Sequence, residues 1–183
     1  VRFPAPIGSQ WAIHTLHSEV ATLPLSFKAK GIRACDFKIA FDPKLEKMIA
    51  ELIRTGLTSR KTVKVNGKRV IPFSVAVQIL SKFQLPAGVC PADQEILRVV
   101  VKGSKGGKPK TITVDCWAFS NRQWCMGAGD IDTGVPPSIA AQMILAGAIP
   151  VRGVLPPERC VPYQLFFREL HKRRMRIMVN GKR

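Results

Sequence analysis

Apolar and polar positions along the chain change period several times, and each change marks an element. In the stretch 31–41 (GIRACDFKIAF), Phe37, Ile39 and Phe41 alternate with other residues, which predicts a half-buried strand. Asp42-Pro43 then opens a helix, with Asp as N-cap and Pro at the first helical position. Leu45, Met48, Ile49, Leu52 and Ile53 recur at helical spacing and give it one apolar face, and Gly56 closes it. Upstream, His17–Leu23 reads as a short helix with Ser18 as N-cap, ended by Pro24. Residues 1–16 have two early prolines, Gly8 and no period, and read as an incoming linker or edge strand.

Further along, Asn66-Gly67 lies between Thr62–Val65 and Lys68–Ile71, a strong signal for a tight hairpin. Pro72–Phe83 reads as a helix, and Pro86, Gly88 and Pro91 mark a loop. Glu95–Lys102 and Lys110–Phe119 predict a longer hairpin with a lysine-rich tip. The polar, Gly-rich stretch Asn121–Asp132 and the turn Thr133–Pro137 lead into Ser138–Ile149, apolar nearly all round and so a buried helix. Pro162–Lys172 is a last amphipathic helix, and Arg176–Val179 a final strand. Val-Asn-Gly-Lys-Arg occurs at 65–69 and again at 179–183, with nothing repeated around it; it is two uses of one turn sequence. The order β-α-ββ-α-ββ-α-α predicts an α+β fold with a mixed, largely antiparallel sheet, helices packed on one face and helices at the C-terminal end. No G-x-G-x-x-G follows a strand, so the dinucleotide fingerprint is missing.

Composition narrows the class. The 183 residues are 46% hydrophobic and 22% charged, which allows a core and excludes a disordered chain. No apolar run is long enough to span a bilayer, and no signal peptide opens the chain. The start, Val1-Arg2-Phe3-Pro4, lacks a Met and suggests a trimmed beginning. Cysteines stand at 35, 90, 116, 125 and 160 with no C-x-x-C pair, which argues against a structural metal. Reduced, mostly buried thiols in a cytoplasmic protein are the expectation. The net charge of +17 attracts polyanions, with clusters at Arg60–Lys68, Lys102–Lys110 and His171–Arg176. These clusters are scattered and form no continuous basic stripe. A nucleic-acid-binding module is therefore the alternative reading rather than the leading one, and an anionic ligand or an acidic neighbour accounts for the charge equally well.

Three constellations can carry chemistry. His17, Ser18 and Glu19 place an imidazole, a hydroxyl and a carboxylate together, able to bind a charged substrate or relay a proton, and equally able to cap a helix. Gly127–Pro137 (GAGDIDTGVPP) offers a Gly-rich turn ahead of the buried helix, where free N–H groups can meet a phosphate, a carboxylate or a carboxamide. Arg122, in Ser120-Asn121-Arg122-Gln123, can clamp a carboxylate or simply lie exposed in a loop.

Taken in order, these segments resemble the C-terminal domain of the saccharopine dehydrogenase family. The residues that carry the resemblance are His17-Ser-Glu-Val-Ala-Thr-Leu-Pro, the Val-Asn-Gly hairpin into Pro72, the Lys102–Lys110 hairpin, Asp132-Thr-Gly-Val-Pro-Pro-Ser-Ile-Ala-Ala-Gln-Met and Gly153-Val-Leu-Pro-Pro-Glu. The resemblance spans about residue 10 to 174 and implies a domain of the glyceraldehyde-3-phosphate-dehydrogenase C-terminal type. It further implies a nucleotide-binding Rossmann domain upstream, holding NAD or NADP, and often a homodimer. Residues 1–16 would then be the linker from that domain, 17–128 the substrate and dimerisation part, and 129–183 a helical segment returning toward the nucleotide. The implied reaction is reversible hydride transfer at a C–N bond of an amino acid or polyamine conjugate, with the isolated chain inactive. The resemblance assigns His17 and Glu19 to substrate binding, to which Arg122 is added, and Thr133 and Gly134 to the nicotinamide end of the cofactor. It leaves the general acid and base unassigned. A non-catalytic dimerisation domain that keeps only the scaffold is the third reading.

Overall fold

The structure, a computed structural model, describes residues 1–82 and 88–182. Two compact units emerge, and the chain passes between them more than once. The first contains residues 1–20 and 34–82, the second residues 21–33 and 88–182.

The first unit is built from local signals. Strand β1 (Ile13–His14) pairs antiparallel with β2 (Lys38–Ile39), so the expected strand over 31–41 shrinks to two residues. The reason is the shortness of its only ladder partner. Residues 1–16 carry this strand and an Arg2–Ser9 bridge. Helix α1 (Ser18–Ser26), whose residues 21–26 belong to the second unit, starts at Ser18 but runs through Pro24 instead of ending there. The missing N–H of Pro24 leaves the Val20 carbonyl without an intrahelical donor, a modest loss near the end of a short helix. Helix α2 (Pro43–Arg54) begins as expected: the Asp42 carboxylate accepts from the Lys44 N–H at 2.8 Å. Gly56 follows at φ +77°, the left-handed position that lets the chain leave the helix. Strands β3 (Val63–Val65) and β4 (Lys68–Val70) close around Asn66 and Gly67, both at positive φ. Helix α3 (Pro72–Leu80) follows Ile71; the end of its expected span, Phe83, and the expected loop residue Pro86 lie outside the described residues. No described residue of this unit is buried. The apolar stripe on α2 is formed but not covered, with Met48 46% and Ile53 61% exposed.

The second unit holds the core. Strands β5 (Gln94–Lys105) and β6 (Lys108–Phe119) pair from Gln94↔Phe119 to Lys105↔Lys108. They run further than expected because the turn is only Gly106-Gly107, both at positive φ as a two-residue hairpin turn requires. Strand β7 (Arg176–Val179) adds antiparallel to β6, giving the order β5-β6-β7. The next turn repeats the first: Asn180 and Gly181 have φ of 50° and 75°, close to 50° and 78° at Asn66 and Gly67. One sheet face is covered by α4 (Ala128–Leu145) and α6 (Tyr163–Lys172). Ile131, Val135, Ile139 and Met143, spaced by four along α4, meet Ala118, Leu170 and Met175 in the core. A short helix, α5 (Pro157–Cys160), is tied to α1 by the Ser26 hydroxyl donating to Glu158 at 2.7 Å. On the opposite face, Arg98 grips the buried Asp115 with two hydrogen bonds of 2.6 and 2.7 Å, the two residues being direct partners in the β5–β6 register.

The architecture is thus α+β, with antiparallel pairing in the three sheets of the described residues and helices on one face of the largest.

Candidate functional site

His17 and Glu19 come together in the first unit. The His17 ring lies flat on Phe37, centroids 4.2 Å apart, and its Nδ1 is hydrogen-bonded to a Glu19 carboxylate oxygen. Ser18 donates to that same oxygen at 3.1 Å. Partial burial pushes the Glu19 carboxyl up, but the hydrogen bonds from His17, its own backbone and Ser18 outweigh it and hold it below the usual carboxylate range. The cluster is a partly exposed imidazole–carboxylate pair at the start of a helix. It can accept a hydrogen bond from an ammonium group or pass a proton.

Arg122, Thr133 and Gly134 belong to the second unit. Arg122 sits exposed in the turn closed by the Asn121–Met126 bridge, and its side chain makes no hydrogen bond or ion pair among the described residues. Thr133 and Gly134 are not in a turn. Helix α4 begins at Ala128, ten residues before the expected Ser138, and carries them on its exposed side along with Pro136 and Pro137. Two features pull the start forward. The Asp93 carboxylate accepts from the Ala128 N–H at 2.9 Å, and Asp130 reaches back to the Gly127 N–H at 2.9 Å. The buried stripe also starts at Ala128 and Ile131. The two prolines lack N–H groups, so the carbonyls of Asp132 and Thr133 have no intrahelical donor.

That capping decides what the N-terminus of α4 can hold. Asp93 takes the Ala128 N–H and Asp130 the Gly127 N–H, and Glu95 and Asp132 add carboxyl groups beside them. The described residues do not fit a dinucleotide's pyrophosphate.

The acidic group around α4 went unread in the sequence. Burial, then the hydrogen bond with Asp132 and the charges of Asp132, Asp93 and Asp130, push the Glu95 carboxyl up to about 7. The Glu95 carboxyl therefore takes up a proton near neutral pH. Gly129 makes this approach possible, since a Cβ there would lie 3.0 Å from a Glu95 carboxylate oxygen. Beneath them the Cys116 thiol is pushed up to about 11 by burial and by Asp132, so it stays protonated. The signal in the chain was Asp93-x-Glu95 at the entry to β5 together with Asp130-x-Asp132 at the start of α4.

The cysteines correct another expectation. Cys90 and Cys125 form a disulfide, their Cα atoms 4.8 Å apart, rather than standing as reduced thiols; Cys35, Cys116 and Cys160 are free and only partly buried. The bridge clasps the base of the β5–β6 hairpin, where the Ser120 N–H also donates to the Asp93 carbonyl at 3.1 Å. Among the described residues, no group of three or more His, Cys, Asp or Glu side chains is placed to hold a metal. No helix among them is long and apolar enough to cross a membrane.

Comparison with known families agrees with the order of the motifs. The model of the saccharopine dehydrogenase C-terminal domain matches residues 3–175, nearly the full length and both compact units. The chain belongs to the family of saccharopine dehydrogenase C-terminal domains.

Proposed function

We propose that this chain is the substrate-side domain of an NAD(P)-dependent oxidoreductase acting on C–N bonds of amino acids, of the saccharopine or lysine dehydrogenase kind. The family match over residues 3–175 carries the reading. The chain's own surface supports it in two ways. In the first unit His17 and Glu19 supply a polar pair suited to an ammonium group, and in the second Arg122 is a guanidinium suited to a carboxylate, each taken by itself. The capped, acid-lined start of α4 is unfavourable to a phosphate, which supports the reading that a partner Rossmann domain of the same protein binds the dinucleotide. Thr133 and Gly134 are the residues of this chain that we assign to the cofactor, at its carboxamide end only.

The protein works as a homodimer in this reading, and the isolated chain does not turn over. A cytoplasmic setting goes with a nicotinamide-linked reaction, and the Cys90–Cys125 disulfide weighs against it, because such bonds persist where thiols are not kept reduced. Thiol alkylation of freshly lysed cells decides between the two.

The test of the reading is kinetic. Joined to a nucleotide-binding domain, the chain should oxidise a basic amino acid or its dicarboxylate conjugate with reduction of NAD or NADP. Arg122→Ala should raise KM with kcat little changed, the mark of lost substrate binding. Turnover by the chain alone, or a joined protein indifferent to all such substrates, refutes it.

A further inference from the structure

The outer half of the β5–β6 hairpin is bare. Every residue from Val99 to Thr111 is exposed, although the two strands stay paired up to the turn. The two faces of this arm are unlike. Alternation puts Leu97, Val99 and Val101 on the side where Cys116 and Ala118 meet the core, and Lys105, Lys108 and Lys110 continue that side to the tip. The three apolar residues are 44%, 55% and 56% exposed. Gly103, having no side chain, leaves a shallow hollow on this side, bordered by Val101, Ile112, Lys105 and Lys110. The other face of the arm carries Val100, Lys102, Ser104, Pro109 and Thr111, a mostly polar set with a single lysine. None of the four lysine side chains makes an ion pair or a hydrogen bond among the described residues. The acids at the hairpin base are too far away to cancel them. Glu95 lies eight positions along the ladder from the level of Lys110, about 26 Å at about 3.3 Å per residue. Exposed charges are screened over about 8–10 Å.

We propose that this arm docks the protein on an anionic phospholipid surface, lying against it without crossing. Val99 and Val101 reach the boundary between headgroups and acyl chains, where removal of apolar area from water favours binding. The lysine stems lie along the same side and carry their ammonium groups to the lipid phosphates, with Lys105 and Lys110 on either side of the Gly103 hollow. The unlike faces select a flat partner. A duplex groove wide enough for a two-stranded ribbon encloses both of its faces and reads polar edges and phosphates. Leu97, Val99, Val101 and Ile112 offer such a groove nothing, whereas a bilayer surface takes one face and leaves the other in water. The docking face is distinct from the outer edge of β5, so pairing along that edge leaves it open. It does not depend on which substrate the protein uses.

Flotation of the 183-residue chain with lipid vesicles tests the proposal. The chain should float with a two-to-one mixture of phosphatidylcholine and phosphatidylglycerol, stay behind with phosphatidylcholine alone, and be released by salt. The triple variant Lys105→Gln, Lys108→Gln, Lys110→Gln should bind about a hundredfold more weakly, each lysine near such a surface contributing about fivefold. Lys44→Gln, Lys47→Gln, Lys64→Gln removes the same charge from exposed positions of the other unit and should bind nearly as the parent does. Val101→Asp should weaken binding at least about tenfold, through one repelled charge and one lost apolar contact. Val100→Asp, the same change one residue away on the opposite face, should weaken it far less; a folding defect would move both alike. Equal binding to the two kinds of vesicle, or none to either, overturns the proposal. Equal losses in the two lysine sets, or at positions 100 and 101, overturn it as well, since the attraction would then belong to the net charge of +17 and not to this face. Tighter binding to duplex DNA than to the anionic vesicles, lost with the three tip lysines, replaces it with a nucleic-acid arm.

Discussion

Arg98 and Asp115 offer a sharp test of how the larger unit is held together. Asp115 is a charged residue in the interior, its side chain 4% exposed, while the Arg98 side chain is 20% exposed and binds it through two nitrogens. Replacing Arg98 by Met keeps the stem that packs along the strand and removes the counter-charge. Breaking a buried pair from one side costs about 3–5 kcal/mol, because the abandoned charge stays in the interior. One-fifth exposure of the arginine lets water offset part of that, which brings the expected loss to about 2–4 kcal/mol. At about 2–4 °C per kcal/mol for a chain of this size, the midpoint should fall by roughly 5–15 °C. Removing both charges should be far milder: Arg98→Met with Asp115→Leu should return to within about 1 kcal/mol of the parent, since an apolar pair replaces an ionic one without an orphan. Urea unfolding followed by Trp117 fluorescence reads this unit specifically once the exposed Trp11 and Trp124 are changed to Phe. The reasoning fails if the single variant unfolds within about 0.5 kcal/mol of the parent. It also fails if the double variant is no more stable than the single one.

Other outcomes follow from the start of α4 and the disulfide. Because the Glu95 carboxyl titrates near 7 in the folded chain but near 4.5 when unfolded, the folded state binds more protons between these values. Stability should therefore fall as pH rises from about 4.5 to 7, with Asp132, Asp93 and Asp130 facing the same carboxyl. Glu95→Gln should flatten that slope in thermal melts taken across the range; an unchanged slope rejects the assignment. Asp93→Ala removes the acceptor for the Ala128 N–H and should cost about 1 kcal/mol, seen as faster amide exchange in the first turn of α4. Ile139→Ala, at a position 1% exposed, should cost about 2–5 kcal/mol in the same unfolding assay. Reducing Cys90–Cys125 should cost less than half of the about 4 kcal/mol that chain entropy assigns to an open 35-residue loop, because β5–β6 already closes that stretch. A loss at or above that figure would show the hairpin base to be loose without the bridge.

What could be read in advance followed from how far each signal reaches along the chain. The start of α2 was legible because Asp42, Pro43 and the apolar spacing lie within three turns of one another. The Asn66-Gly67 hairpin was legible for the same reason. The start of α4 was not, because its cap comes from Asp93, 35 residues away, and Pro136-Pro137 speaks locally for a later beginning. The disulfide was missed for a related reason. Cys90 and Cys125 look unrelated until the β5–β6 register brings residue 94 beside 119. The raised Glu95 carboxyl needed the same register and the helix laid on it. Among the candidate residues, His17 and Glu19 do touch, as neighbours two apart at a helix start can. Arg122, Thr133 and Gly134 fall on exposed surface, where residue type alone says little about a partner.

The repeated Val-Asn-Gly-Lys-Arg segment bears on the order in which the chain acquires structure. One pentapeptide adopts the same left-handed pair of residues in two different units, once between β3 and β4 and once after β7. The conformation of the Asn-Gly pair is therefore set locally and does not wait for the core. Turns of this kind close hairpins in about 1–10 μs, well before strands distant in sequence can search for one another. Each copy is then a pre-set corner. The first brings β3 to β4, and the second turns the chain back at the end of β7, where the Asn180 amide oxygen takes the Thr113 N–H at 2.9 Å.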